Sequence, residues 1–200
     1  ISSAASDVYK RQLVDGQTID LGAFGLSGGA PANFETNVGS SSQITGDSSL
    51  DSVTAILTTN NGDTVVMNGS AVVNGNTITN TGTGNALSST QPATNVELQI
   101  NNNTLIGGSN GAGLAIDGSG TGTVTITSFS GNNIRAAGTN GIDITDVTFD
   151  ADLATAGIQQ VSGGNTVIGV DAANRVQGDG LRLNNVLGDI NFTNLTIFNN

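Results

Sequence analysis

The side chains with the strongest claim to chemistry are Asp143 and Arg182. Each is third in a four-residue text of glycine, apolar, polar, apolar, namely Gly141-Ile-Asp-Ile144 and Gly180-Leu-Arg-Leu183, and the text recurs uncharged as Gly113-Leu-Ala-Ile116. Alternation with period two puts the third residue on the face opposite the two apolar ones. If the three texts are equivalent strands of stacked units, Ala115, Asp143 and Arg182 form one outward column. The acid and the base then lie one strand spacing apart. A carboxylate beside a cation can hold a substrate or a metal ion, or the two can simply neutralise each other as a cross-strand ion pair worth about 0.2–1 kcal/mol. A site would need further carboxylates and a second basic residue, yet the register neighbours are Ala115, Thr145 and Asn184. The ion pair accounts for the pattern.

The remaining acids carry less. Asp171 and Asp179 could be the paired carboxylates of a sugar hydrolase, which needs two acids at a defined separation and one raised pKa. Asp143 with Asp146, or Asp150 with Asp152, offer oxygen ligands of the kind Ca²⁺ takes. The calcium-binding Gly-Gly-x-Gly-x-Asp repeat is absent, since Gly107-Gly-Ser-Asn-Gly111 and Gly118-Ser-Gly-Thr-Gly122 both miss it. With no His and no Cys, neither a Ser-His-Asp triad nor a thiolate metal site can form. No Gly-Lys-Ser/Thr phosphate loop occurs. No catalytic, cofactor-binding or metal residue is assigned on these grounds, and beyond the first twelve residues only Arg135, Arg175 and Arg182 could supply a base.

The elements that position these residues are set by a repeat. Gly113 and Gly141 are 28 residues apart, and at the same step Val96-Glu-Leu98 returns as Val124-Thr-Ile126 and Asn103-Thr-Leu-Ile106 as Gly131-Asn-Asn-Ile134. Ile78 precedes Ile106 by the same interval. About 28 residues hold three short strands and three turns, and such coils stack into long parallel sheets. Leu114, Ile142 and Leu181 should form one inward column, and Ile116, Ile144 and Leu183 the next. Asn103, Asn132, Asn133 and Asn165 are expected at turns, in the left-handed conformation, with their amides laddered from coil to coil. The interval from Gly141 to Gly180 is 39 residues. The excess is read as turn insertions at Asp150–Gly157 and Val170–Val176, sharing one face, while Asn165-Thr-Val-Ile168 repeats the Asn103 text. Asn68-Gly69 and Asn74-Gly75 would also suit antiparallel hairpins, but a meander needs no fixed step.

Composition agrees. Twenty-nine Gly, two Pro and few aromatics with abundant Asn and Thr favour short strands and many turns over helix. The net charge of −11 argues against nucleic acid and anionic lipid. No apolar run approaches the roughly 20 residues that span a bilayer, so membrane insertion by this segment is not expected.

Three regions follow. Residues 1–12 lack the Gly/Asn/Thr texture and resemble a translated library-adapter leader on a metagenomic fragment. Residues 13–62 read as an irregular β region, the upstream part of the same solenoid. Residues 63–200 are its regular coils. The closing Ile190–Asn200 matches the text from Val124 to Asn133 with one insertion, so the expectation is a solenoid truncated in mid-repeat. The Gly-Ile-Asp-Ile and Gly-Leu-Arg-Leu strands with Asn-Asn-Ile turns resemble right-handed parallel β-helix repeats of the pectin-lyase-like group, over about residues 63–200. The acidic, cysteine-free version is similar to passenger regions of bacterial autotransporter-type surface adhesins. The resemblance implies an all-β, right-handed parallel β-helix of a secreted or cell-surface bacterial protein, a non-enzymatic stalk or adhesive segment contacting carbohydrate or surface protein. Its alternative is a polysaccharide lyase or glycoside hydrolase, in which outward acids hold calcium or substrate and an outward Arg or Lys abstracts a proton.

Overall fold

Apolar residues at every second position can bury only one side of a strand, so each strand needs a partner layer. Val96–Asn101 shows the pattern, with Val96, Leu98 and Ile100 buried and Glu97 and Gln99 exposed between them. A computed structural model of the chain describes residues 62–67 and 69–198 in full, and upstream the backbone of six strands between Arg11 and Leu57. The described residues contain no helix. Their strands form three long parallel sheets and one separate parallel pair.

Sheet I comprises Arg11–Leu13, Asn33–Thr36, Thr54–Leu57, Thr77–Asn80, Thr104–Ile106, Asn133–Arg135, Val167–Ile168 and Thr196–Ile197. Sheet II comprises Thr18–Ile19, Ser42–Ile44, Val65–Met67, Leu87–Thr90, Leu114–Asp117, Ile142–Thr145 and Leu181–Asn184. Sheet III comprises Ser48–Asp51, Ala71–Asn74, Val96–Asn101, Val124–Ser130, Val147–Phe149 and Leu187–Gly188, and Val161–Ser162 pairs separately with Ile190–Asn191. From Ser42 onward the chain visits sheets II, III and I in turn and then starts the next coil. Asn74-Gly75 therefore makes no hairpin. It turns the chain from sheet III into sheet I, and Asn68-Gly69 includes a residue outside the described set. The leader expected at 1–12 lies mostly outside the described residues, and its boundary falls within Arg11–Leu13, which pairs with Asn33–Thr36.

The inward columns of sheet II are those the repeat indicates: Leu87, Leu114, Ile142 and Leu181 in register, then Ile116, Ile144 and Leu183. Leu114, Ile142 and Ile144 are fully buried. The constant step is not kept. Partners in sheet II are 27, 28 and 39 residues apart at Leu87, Leu114, Ile142 and Leu181. In sheet III the register slips between Leu98 and Gln99, because Leu98 pairs with Ile126 while Gln99 pairs with Ser128. Thr127 is an extra residue bulged out of the ladder. In the next turn and strand of the same coil the pairing is shifted by one: Leu105, not Ile106, pairs with Ile134, while Leu105 pairs with Ile78 at the 27-residue step that Leu98 and Ala71 already keep, and Ile134 pairs with Ile168. Thr166 therefore holds the place of Asn103, which the repeated text had given to Asn165. The closing stretch is out of phase as well, since Thr196 stands in the register of Val167 and Asn133, and Ile190 pairs with Val161.

The turn from sheet III into sheet I explains the asparagines. Its left-handed position is occupied by Gly75, Asn102, Gly131, Asn165 and Asn194, with φ between 50° and 70°. At Gly131 a Cβ would lie 2.3 Å from the Asn102 Oδ1. The next residue, Asn76, Asn103, Asn132 or Thr166, points inward and is buried at 0–1% exposure. Only Asn165 of the four expected left-handed asparagines is left-handed. Asn103 and Asn132 are interior ladder residues, and Asn133 begins a strand on the outer side. Inside the coil, Phe129 packs edge to face against Phe149 at 6.4 Å and Phe192 at 6.3 Å.

Candidate functional site

Because Leu114, Ile116, Ile142 and Ile144 point inward, the residues between them must point out. The outer face of sheet II thus carries Ala115, Asp143 and Arg182 in one register column and Thr90, Asp117, Thr145 and Asn184 in the next. These two columns line an open depression of about 340 Å³, with Thr90, Asp117, Ser119, Asp143, Thr145 and Arg182 on its walls.

The pairing of Asp143 with Arg182 is as the spacing indicates. Arg182 Nη1 lies 3.1 Å from Asp143 Oδ2 and 3.4 Å from Oδ1. The Arg182 side chain is 50% exposed and that of Asp143 25%, so solvent screens the pair. A third group, which the spacing did not indicate, holds the acid from the other side. Asn140 Nδ2 donates to Asp143 Oδ2 at 2.8 Å, and its Oδ1 accepts from the Asp179 amide at 3.0 Å. Asn140 lies in the turn before Gly141, where period-two arithmetic has no purchase.

Asp117 is the second carboxylate of the depression, two residues beyond Ala115 and so on the same face. Its Oδ1 accepts from the Ser119 amide at 3.0 Å, and its Oδ2 accepts from Gln91 Nε2 at 3.1 Å. Hydrogen bonding by the Ser119 side chain is the largest cause of its lowered carboxyl pKa; burial opposes it, and the Ser119 amide and then Gln91 lower it further. It is therefore an ionised acceptor at neutral pH.

The other candidates are not brought together. Asp146 sits in the left-handed turn after sheet II and accepts from Asn185 Nδ2 one coil on. Asp150, 8% exposed, accepts from the Asp152 and Gln159 amides and closes the base of the 151–158 loop. Asp152 accepts from Thr155 Oγ1 at 2.6 Å and from the Ala154 amide, which lowers its pKa. Asp171 bonds back to its own loop through Asn174 and Ala173, is likewise lowered, and feels the charge of Arg135. The two insertions do not share a face. One lies on the way from sheet III to sheet I, the other on the way from sheet I to sheet II. Among the described residues, no three His, Cys, Asp or Glu side chains gather where they could hold a metal ion. No helix among them is long and apolar enough to cross a membrane. Set against known proteins, the chain matches no protein-family model, no curated protein and no solved structure.

Proposed function

We propose that this chain is part of a right-handed parallel β-helix that serves as a non-enzymatic stalk or adhesive segment of a secreted or cell-surface bacterial protein, similar to an autotransporter passenger. The handedness is inferred from the parallel pairing throughout, since strand-to-parallel-strand returns are right-handed in nearly all proteins. The observation that carries the function is the outer face of sheet II. Among the described residues lining the depression, the one cation is bonded to Asp143, the other carboxylate is held ionised, and the remaining polar wall is hydroxyl. Such a surface offers many weak hydrogen bonds to a carbohydrate or a partner protein, while an ionised Asp117 is the wrong form for a general acid. The absence of cysteine and the acidic composition suit export.

The juxtaposition of Asp117, Asp143 and Arg182 in one depression also supports a second reading, a polysaccharide lyase or glycoside hydrolase of the pectin-lyase-like group. The guanidinium of Arg182 is already bonded to Asp143 and not free to take a substrate proton, so this reading ranks second. Affinity electrophoresis of the full chain through gels containing neutral or acidic polysaccharides tests both. Retardation without release of reducing ends or unsaturated products supports adhesion. Product release that disappears in Arg182→Ala would sink the proposal in favour of the enzyme.

A further inference from the structure

The two insertions in the repeat are held in opposite ways. The one around Val170–Val176 is stitched to the coil before it: Gly169 N donates to the Ile134 carbonyl, Gln177 N to the Ala137 carbonyl, and the Asn174 carbonyl accepts from Ala136 N, each at 2.9 Å. Residues 151–158 have no such tie. Their hydrogen bonds run only within residues 150–159, from Ala151 N to the Gln159 carbonyl, from Thr155 N to the Asp152 carbonyl, and to the carboxylates of Asp150 and Asp152. Among the described residues, Ala156, Gly157 and Ile158 have no hydrogen-bond partner.

All eight residues from 151 to 158 are exposed, Leu153 at 50% and Ile158 at 55%. A Cβ at Gly157 would meet nothing within 4 Å. The loop leaves a strand that is covered on both sides, because Val147–Phe149 pairs with Val124–Ser130 and with Leu187–Gly188. Beyond the loop, Val161–Ser162 pairs with Ile190–Asn191. Phe149 and Val161 are buried at its root, where Asp150 Oδ1 accepts from the amides of both Asp152 and Gln159. The ends are thus fixed and the tip is not. A segment with few buried contacts and few backbone bonds opens without the rest unfolding, and exposed tips of small residues are where proteases cut.

The text Leu153-Ala-Thr-Ala-Gly-Ile158 also says which protease. Residues 151–158 hold no Lys, Arg or aromatic residue, so a pocket for a basic or aromatic side chain finds nothing to hold. A shallow pocket that takes a methyl finds Ala154 and Ala156, with Leu153 and Ile158 free to fill the pockets on either side.

We propose that this loop is a processing site for an endoprotease of elastase-like specificity, and that the cut chain stays assembled. At the Ala156–Gly157 bond, water adds as the C–N bond breaks. Its oxygen ends in the Ala156 carboxylate and both its hydrogens on the Gly157 nitrogen, now an ammonium. The pieces remain joined because all three sheets cross the cut, through Asn133–Arg135 with Val167–Ile168, Ile142–Thr145 with Leu181–Asn184, and Val147–Phe149 with Leu187–Gly188.

Limited digestion of the full chain with elastase in buffer, read by mass spectrometry and gel filtration, is the test. Downstream of residue 62 the first cut should fall within residues 153–158, and the two pieces should elute together in buffer and separate in urea. The double variant Ala154→Asp/Ala156→Asp, altered only at exposed positions, should lose the cut with an unchanged far-UV circular dichroism spectrum. A first cut elsewhere downstream of residue 62, a loop that survives elastase able to digest casein, a cut that persists in the double variant, or pieces that part in buffer would overturn the proposal. None of these outcomes depends on what sheet II binds.

Discussion

Asn103 and Arg182 each reach across one strand spacing to a polar partner in a neighbouring coil, the first inside the coil and the second outside it. Asn103 is wholly buried. Its Nδ2 donates to Asn132 Oδ1 and to the Val73 carbonyl, and its Oδ1 accepts from the Asn76 amide nitrogen and Asn76 Nδ2. Every polar atom of that side chain is satisfied, and its burial keeps it out of contact with bulk solvent. Arg182 is half exposed, and water competes for each of its bonds. The same spacing and comparable distances therefore imply different energetics. Removing a partner inside leaves a desolvated amide, which costs about 1–3 kcal/mol per group, whereas the exposed pair is worth about 1 kcal/mol or less.

The contrast can be broken at its apolar foundation first. Phe129→Ala removes the ring that Phe149 and Phe192 pack against and opens a cavity beside the ladder. Unfolding in urea should show a loss of about 3–5 kcal/mol. A loss under about 1 kcal/mol would mean the three rings are not a packed core. Asn103→Leu tests the ladder itself, since a side chain of similar size leaves the Asn76 amides without their acceptor. A destabilisation of about 3 kcal/mol is expected in the same assay, and an unchanged midpoint would reduce the ladder to ornament.

Two smaller effects sharpen the outer side of the comparison. A double-mutant cycle with Asp143→Ala and Arg182→Ala should return a coupling below about 1 kcal/mol that shrinks in salt. A coupling of several kcal/mol would indicate a desolvated site. The smallest effect concerns acid. Asp117, Asp152 and Asp171 have folded pKa values lowered by hydrogen bonds, so their ionised forms favour the folded state. That stability is full at neutral pH and is lost as pH falls from about 4 through the lowered folded values. Urea midpoints should decline over that range, and slightly less steeply in Asp117→Asn. A midpoint that rises on acidification contradicts the assigned bonds.

Much of this architecture was legible in the chain. Glycine before apolar, polar, apolar marks the strands of sheet II, and the columns Leu114/Ile142/Leu181 and Ala115/Asp143/Arg182 stand where alternation puts them. The register of the other sheets was not. One bulged residue, Thr127, displaces the Asn103 text against the Gly131 text by a single place, and in a strand a slip of one exchanges the faces. Asn103 is a buried ladder residue, stacked on Asn76 as well as on Asn132, and Asn102 takes the left-handed turn expected of Asn103. Asn140 went unassigned because it lies in a turn, where no period applies; Asp117 stands two residues beyond Ala115 on the face that alternation gives it, and only its partners Ser119 and Gln91 lie outside the strands.

Apolar alternation and the recurrence of glycine and asparagine determined that this chain makes stacked parallel strands, because burial on one side of a pleated strand demands period two whatever the fold. Only the tertiary structure decided which asparagine is inside and which acids are satisfied by their own loops. Those outcomes depend on single-residue shifts in register and on the direction in which each amide donates. Both are set when coils meet, and neither leaves a mark on the spacing of any one of them.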